Sequence, residues 1–214
     1  MPPKFDRSLL PPAPNFSFEA QLWNAGTRWV AGIDEAGRGA LAGPVAAAAL
    51  VFPPDASLAL VLDGVRDSKQ MTPSQREFWA ERLQAVALAW GLGFASSQEI
   101  ESIGIVPATR LAVARALQQL AIAPEHLLVD FLHLPDIPIS QTALVKGDQR
   151  SLSIAAASIL AKTARDAHLR ALEREHPGYG LASHKGYGTA AHLAALERLG
   201  PSPIHRLTFS SKKR

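Results

Sequence analysis

Apolar residues follow two rhythms along this chain. Five short stretches have the length and composition of buried strands: Trp29 to Ile33, Pro44 to Phe52, part of Ala85 to Ala95, His126 to Asp130, and Thr142 to Val145. The first two flank a Gly-rich interruption and predict a hairpin. Elsewhere the spacing is helical. Leu111, Ala114, Leu117 and Leu120 form one stripe of a helix over 107–120. Thr72-Pro73-Ser74 opens another, capped by Thr72 or Ser74 and running toward Gln84. Ser151 to Glu175 is mostly Ala, Leu, Lys, Arg and Glu and is closed by His176-Pro177-Gly178, which predicts a long helix. Thr189 to Leu199 predicts one more, and Ile103 to Pro107 reads as a break.

Strands interleaved with helices place the chain in the α/β or α+β class, with a helical C-terminal part. Residues 1–27 read as a proline-rich extension in which Pro2, Pro3, Pro11, Pro12 and Pro14 forbid regular helix. One domain then covers 28–209, and 210–214 is a basic tail. At 214 residues and 47% hydrophobic content, this is one domain with a decoration, able to bury a core. The longest unbroken apolar run, Val45 to Phe52, is eight residues, far below the roughly 20 needed to cross a bilayer. The prolines also break any signal-peptide core at the N-terminus, so a cytoplasmic protein is expected. The absence of Cys excludes disulfides, zinc-thiolate sites and thiol nucleophiles.

The net charge of +3 conceals an asymmetry. Residues 1–150 carry 12 basic and 15 acidic side chains, whereas residues 151–214 carry 10 and 4. A basic C-terminal third beside an acidic body fits a polyanionic partner, and equally a solvated helix face with a basic tail.

Chemistry enters at the strand ends. Ile33-Asp34-Glu35, Val129-Asp130 and Val145-Lys146-Gly147-Asp148 each finish a strand in acid. One such residue is what a turn cap also looks like. If the strands are neighbours, however, four carboxylates converge and need a counter-cation, and hard divalent ions such as Mg²⁺ or Mn²⁺ take oxygen ligands. Adjacent Asp34 and Glu35 would point to opposite faces of a strand, so aiming both inward needs a kink or bulge, for which Ala36-Gly37 is placed. Gly37-Arg38-Gly39 could bring backbone N–H groups and a phosphate-binding guanidinium to a ligand. Gly37 to Ala42 also fits a loose dinucleotide fingerprint, but the acids would repel a pyrophosphate and the next segment reads as strand, not helix. A non-catalytic nucleic-acid-binding module and a two-carboxylate glycosidase are the other classes considered; the first has no need of paired acids.

Gly32 to Gly39, Leu41 to Val45, Asp67-Ser68-Lys69, Val129-Asp130, Lys146-Gly147-Asp148, Ala155 to Lys162 with Arg165-Asp166, and His184 to Thr189 form a set of blocks in fixed order. Taken together, these blocks resemble ribonuclease HII, the type 2 ribonuclease H. The resemblance implies a ribonuclease H-like α/β fold, a mixed five-stranded sheet flanked by helices with a helical C-terminal part. It implies endonucleolytic cleavage of RNA in RNA–DNA hybrids and at ribonucleotides embedded in duplex DNA, leaving 3′-hydroxyl and 5′-phosphate ends. Asp34, Glu35, Asp130 and Asp148 would be the acidic catalytic and metal-binding residues for Mn²⁺ or Mg²⁺. In a two-ion arrangement Asp34 bridges, Glu35 and Asp130 hold one ion, and Asp148 holds the other. Gly37, Arg38 and Gly39 would recognise the ribonucleotide through main-chain contacts to its 2′-hydroxyl, and Tyr187 would pack on the sugar. Lys69, Lys146, Ser158, Lys162, His184, Lys185 and Arg206 are candidate substrate contacts, whereas Tyr179 reads as structural. The partners expected are RNA–DNA hybrid and ribonucleotide-containing DNA, with no membrane, a monomeric chain and a replication clamp as a further candidate. Two residues depart from the family pattern: Ala40 where Pro is usual, and Phe131 where Gly is common.

Overall fold

Strand alternation organises the molecule around β1 (Val30–Ala36) and β2 (Val45–Val51). The computed structural model describes residues 5, 6, 8 and 10–210; Lys212, Lys213 and Arg214 of the expected basic tail lie outside them. With β3 (Ala89–Ala95), β4 (His126–Asp130) and β5 (Ser140–Leu144), the sheet has the order β3-β2-β1-β4-β5. β1, β2 and β3 are antiparallel neighbours, so the hairpin is present, while β4 and β5 join β1 in parallel. This is the mixed five-stranded sheet the resemblance implies.

Both faces of the sheet are covered. Ala31, Ile33, Ala47, Ala49 and Val129 pack against α4 (Ser97–Ile103) and α5 (Ile105–Gln118). Ala36, Ala48 and Leu50 pack against α3 (Pro73–Val86) and the long α6 (Leu152–Glu175). Gly32 has no side chain because the Ser153 backbone lies where a Cβ would stand, 2.2 Å away. That contact seats the first turn of α6 against the middle of β1. The other helical pieces are α1 (Ser17–Asn24), α2 (Leu58–Val61), α7 (Leu181–His184), α8 (Ala190–Leu199) and α9 (Leu207–Ser210).

Residues 15–24, which fall in the expected proline-rich extension, pack into the domain. α1 begins after Pro14, Phe16 and Trp23 join the core, and Asn15 bridges to Ser151. Buried Glu19 accepts from the Ser151 hydroxyl (2.6 Å) and the Ser153 N–H (3.0 Å), holding the start of α6. Its burial pushes the Glu19 carboxyl above the usual carboxylate range. The break expected over 103–107 shrinks to Gly104, at φ 84°, between α4 and α5. Pro107 does not interrupt α5 because it sits in the first turn, where no intrahelical N–H bond is lost. α4 went unanticipated although Ser96 and Glu99 form a capping box at its start.

Candidate active site

Parallel pairing of β1, β4 and β5 brings their C-terminal ends side by side, the place where such sheets carry chemistry. Asp34 shares the α6 face of β1 with Gly32, and Asp130 shares the same face of β4 with Leu128. After β5 the chain turns sharply through Lys146, at φ 55°, into a 3₁₀ turn of Gly147–Gln149. The Gly147 N–H then donates to Asp130 Oδ1 (2.7 Å), which fastens that turn to β4. Asp34, Asp130 and Asp148 each offer an oxygen within 4.8 Å of the others. Glu35 stands outside that cluster. The β1–β2 register runs without interruption through Asp34, Glu35 and Ala36, so the expected bulge is absent from the strand. Glu35 lines the same cleft but is held by Arg38 Nη1 at 3.0 Å.

The cluster is electrostatically costly. Burial, then Glu35, Asp130 and Asp148, drive the Asp34 carboxyl well above the usual range, although the Glu35 N–H donates to Asp34 Oδ1 (2.7 Å). Burial also raises Asp130, against the opposing Gly147 bond. Burial, then Asp130 and Asp67, lifts Asp148 to about 6, with Lys69 acting the other way. Three converging oxygen donors that resist ionisation on their own are a donor set suited to a hard divalent cation.

A cleft of about 220 Å³ is lined by Asp34, Glu35, Gly37, Arg38, Gly39, Ser68, Lys69, Asp130, Lys162 and Tyr187, among others. Gly37 takes φ 92° and lies so close over Arg165 that a Cβ would stand 1.9 Å from Nε. At Gly39 the space a Cβ would occupy is open. Tyr187 presents its ring 5.5 Å from both the Lys162 ammonium and the Arg165 guanidinium. Lys162 also pairs with Asp166 (2.6 Å), and burial pulls its pKa down. Lys69 reaches Asp148 from a largely exposed position. Burial lowers its pKa, but Asp148, Asp67 and Asp34 together outweigh that and raise it.

Several residues expected at the substrate have other work. Ser158 is buried, donates to the Ala155 carbonyl (2.9 Å) and accepts from the Ser68 N–H (3.2 Å), pegging the Lys69 turn to α6. His184 bonds the Tyr179 carbonyl (2.7 Å) and the Gly186 N–H (3.2 Å), so both ring nitrogens are used inside the fold. Lys185 donates to the Ala182 carbonyl, and Lys146 does not line the cleft. Arg206 is 1% exposed and spends its guanidinium on the carbonyls of Gly37, Arg38 and Gly43. Tyr179 is structural as expected: it is buried, with its hydroxyl on the Gly200 carbonyl (2.8 Å).

Sequence reasoning assigned no role to Asp67. Its buried carboxylate accepts from the Lys69 N–H (2.9 Å) and from Gln149 Nε2 (3.2 Å), joining the lysine turn to the Asp148 turn. The only signal was an isolated Asp-Ser-Lys triplet, which says nothing about distance.

The family model described as Ribonuclease HII matches residues 31–212. Ribonuclease HII of Synechococcus sp. (strain JA-3-3Ab) is 53% identical over 201 residues, 92% of this chain and 88% of that protein. The Pelobacter propionicus protein of the same name is 50% identical over 211 residues, 98% of this chain and 94% of its own. Among solved structures, ribonuclease H2 from Pyrococcus horikoshii OT3 superposes with a TM-score of 0.68 at 28% identity, covering 86% of this chain and 96% of that one. Archaeoglobus fulgidus RNase HII, solved in its complex with PCNA, gives 0.70 at 25% identity, covering 85% and 94%.

Proposed function

Because the chain belongs to the ribonuclease HII family, type 2 ribonucleases H that hydrolyse RNA–DNA hybrids, we propose that it also cuts duplex DNA at embedded ribonucleotides and leaves 3′-hydroxyl and 5′-phosphate ends. One juxtaposition carries this reading. The carboxylates of Asp34 and Asp130, clustered with Asp148, line the same cleft as Gly37, Arg38, Gly39 and Tyr187. One half of the cleft is suited to a phosphate and the other to a sugar.

On the phosphate side, Asp34, Asp130 and Asp148 would hold Mn²⁺ or Mg²⁺, with Glu35 lining the same cleft. Such an ion, when bound, offsets phosphate charge and lowers the pKa of water. Lys69 and Lys162, both lining the cleft, supply cations for the phosphate oxygens. On the sugar side, main-chain groups of Gly37, Arg38 and Gly39 meet the ribose 2′-hydroxyl, the group that distinguishes RNA from DNA. Donors fixed in a backbone loop go unpaired against a deoxyribose, and that penalty is the basis of rejection. Tyr187 packs on the same sugar.

The deciding experiment incubates the protein with a duplex carrying one ribonucleotide, in Mg²⁺, Mn²⁺ or chelator, and maps the cut and its ends. Cleavage at the ribonucleotide, abolished by chelator, is expected. An uncut duplex beside a cleaved long hybrid would remove the embedded-ribonucleotide activity, and cleavage in chelator would remove the metal. A replication clamp is a second candidate partner, because the A. fulgidus relative is solved bound to PCNA; co-purification with a sliding clamp tests it.

A further inference from the structure

Two arginines lie buried beneath the glycine loop. Arg165 is 0% exposed and donates to the carbonyls of Pro44 (2.8 Å), Lys185 (3.0 Å) and Ala42 (3.1 Å). Arg206 donates from Nη1 to the carbonyls of Gly37 (2.8 Å) and Arg38 (3.0 Å), and from Nη2 and Nε to that of Gly43 (2.7 and 3.0 Å). Among the described residues neither has a carboxylate within ion-pair distance. Burial, and then Arg165 beside it, pull Arg206 down to about 9, which leaves it a cation at neutral pH. Two buried cations whose hydrogen bonds all go to carbonyls, each with one aromatic ring about its guanidinium (Tyr187 at 5.5 Å for Arg165, Phe209 at 5.4 Å for Arg206), are costly. A core that needed only stability would be served as well by apolar packing.

The carbonyls they hold explain the expense. A trans peptide points its C=O and N–H in opposite directions, and this chain has no cis bond among the described residues. Drawing the Gly37 and Arg38 carbonyls down to Arg206 therefore turns the N–H groups of Arg38 and Gly39 the other way. Neither of these N–H groups has a hydrogen-bond partner among the described residues. Gly37, Arg38 and Gly39 all line the cleft, whereas Arg206 does not. The main chain around Arg206 is itself fixed, because its N–H donates to the Leu41 carbonyl (2.8 Å) and His205 bridges Ala42. Arg165 adds a second tie: through the Lys185 carbonyl it binds the loop before Tyr187 to the loop at Ala42 and Pro44.

We propose that Arg206, seconded by Arg165, is a specificity-determining positioning residue: by holding the Gly37 and Arg38 carbonyls inward it keeps the Arg38 and Gly39 N–H groups aimed at the ribose 2′-hydroxyl. The inference rests on the reading that this loop meets the ribose. Rejection of a deoxyribose depends on donors that cannot turn aside to find other partners, and a four-bond guanidinium clamp supplies that rigidity.

The test compares binding of two duplexes of one sequence, one with a single ribonucleotide and one all-DNA, with Ca²⁺ as probe metal. The proteins are the unsubstituted chain, Arg206→Gln and Arg206→Lys, each checked for folding by circular dichroism and thermal melting. Arg206→Gln should cut the preference for the ribonucleotide duplex by about tenfold, the worth of one well-placed hydrogen bond, while all-DNA affinity stays within about twofold. Arg206→Lys, which keeps the cation but loses the fork, should lie between the other two. A general folding defect would lower both affinities together. If the unsubstituted protein discriminates and the folded variants discriminate equally, the positioning role is overturned while the ribose reading stands. If the unsubstituted protein binds both duplexes alike, the ribose reading fails and the proposal with it. Should neither variant fold, amide hydrogen exchange of the unsubstituted protein decides. The Arg38 and Gly39 amides should exchange fast when free and become protected by the ribonucleotide duplex alone, and slow exchange in the free protein would overturn the proposal.

Discussion

The Lys69 ammonium lies 3.3 Å from Asp148 Oδ2, and its own backbone N–H is held 2.9 Å from Asp67 Oδ1. This lysine is the cation that holds the Asp148 pKa down against burial and its acidic neighbours. Because Asp148 still stands at about 6, a metal ion competes there with a proton. Cleavage at a fixed, sub-saturating metal concentration should therefore fall as pH drops through about 6, and more metal should move that limb to lower pH. Lys69→Met removes the opposing cation and should shift the limb upward. A pH–rate profile of the two proteins measures both effects, and identical acid limbs would contradict the pairing.

Asp34→Asn keeps the side chain's shape and its acceptor for the Glu35 N–H while removing the charge. Cleavage of hybrid should fall by about 10³-fold or more, with hybrid binding retained. The same substitution should stabilise the metal-free protein. Asp34 has a folded-state pKa raised above its unfolded value, so its contribution favours folding at low pH and is lost as pH rises through the folded pKa. The gain over the unsubstituted chain should be about 1 kcal/mol at pH 8 and should shrink on acidification; thermal melts in chelator at pH 8 and pH 5 test this sign.

Gly32→Ala places a methyl group 2.2 Å from the Ser153 carbonyl carbon and 2.3 Å from its oxygen. Neither is the end of a flexible side chain, so α6 must lift from β1. A loss of about 3 kcal/mol is expected, or about 10 °C in Tm, measured by thermal melting. Activity should fall as well, because the Asp148 turn runs directly into α6.

Phe131 sits at φ 55° and is 70% exposed, directly after Asp130. A left-handed backbone costs a non-glycine residue roughly 1–2 kcal/mol, part of which glycine gives back through its freer unfolded chain. Phe131→Gly should therefore stabilise the protein by about 0.5 kcal/mol, seen as a rise of roughly 2 °C in Tm. An unchanged or lower Tm would mean that the ring contributes contacts outweighing the backbone strain.

The periodic elements were legible because their signals are local. β1 to β4, α3 with its Thr72 cap, α6 and α8 stand close to where apolar spacing, composition and turn residues put them. α1 was hidden by the prolines before it, although none falls inside Ser17–Asn24, and what holds it is tertiary: Phe16 and Trp23 in the core and Glu19 on α6. α4 carried its capping box in plain view.

At the site, the sequence alone determined which residues carry charge, where strands end in acid, and where glycine permits a turn. Those properties belong to single residues and short spans. Only the tertiary structure decided that Asp34, Asp130 and Asp148 meet while Glu35 lines the same cleft outside their cluster. That outcome follows from strand order, from parallel register and from the missing bulge. It also decided that Ser158, His184 and Arg206 face inward, where carbonyls and N–H groups claim them. A polar side chain reads the same in a sequence whether solvent or a backbone dipole satisfies it, and only packing between distant segments chooses between the two.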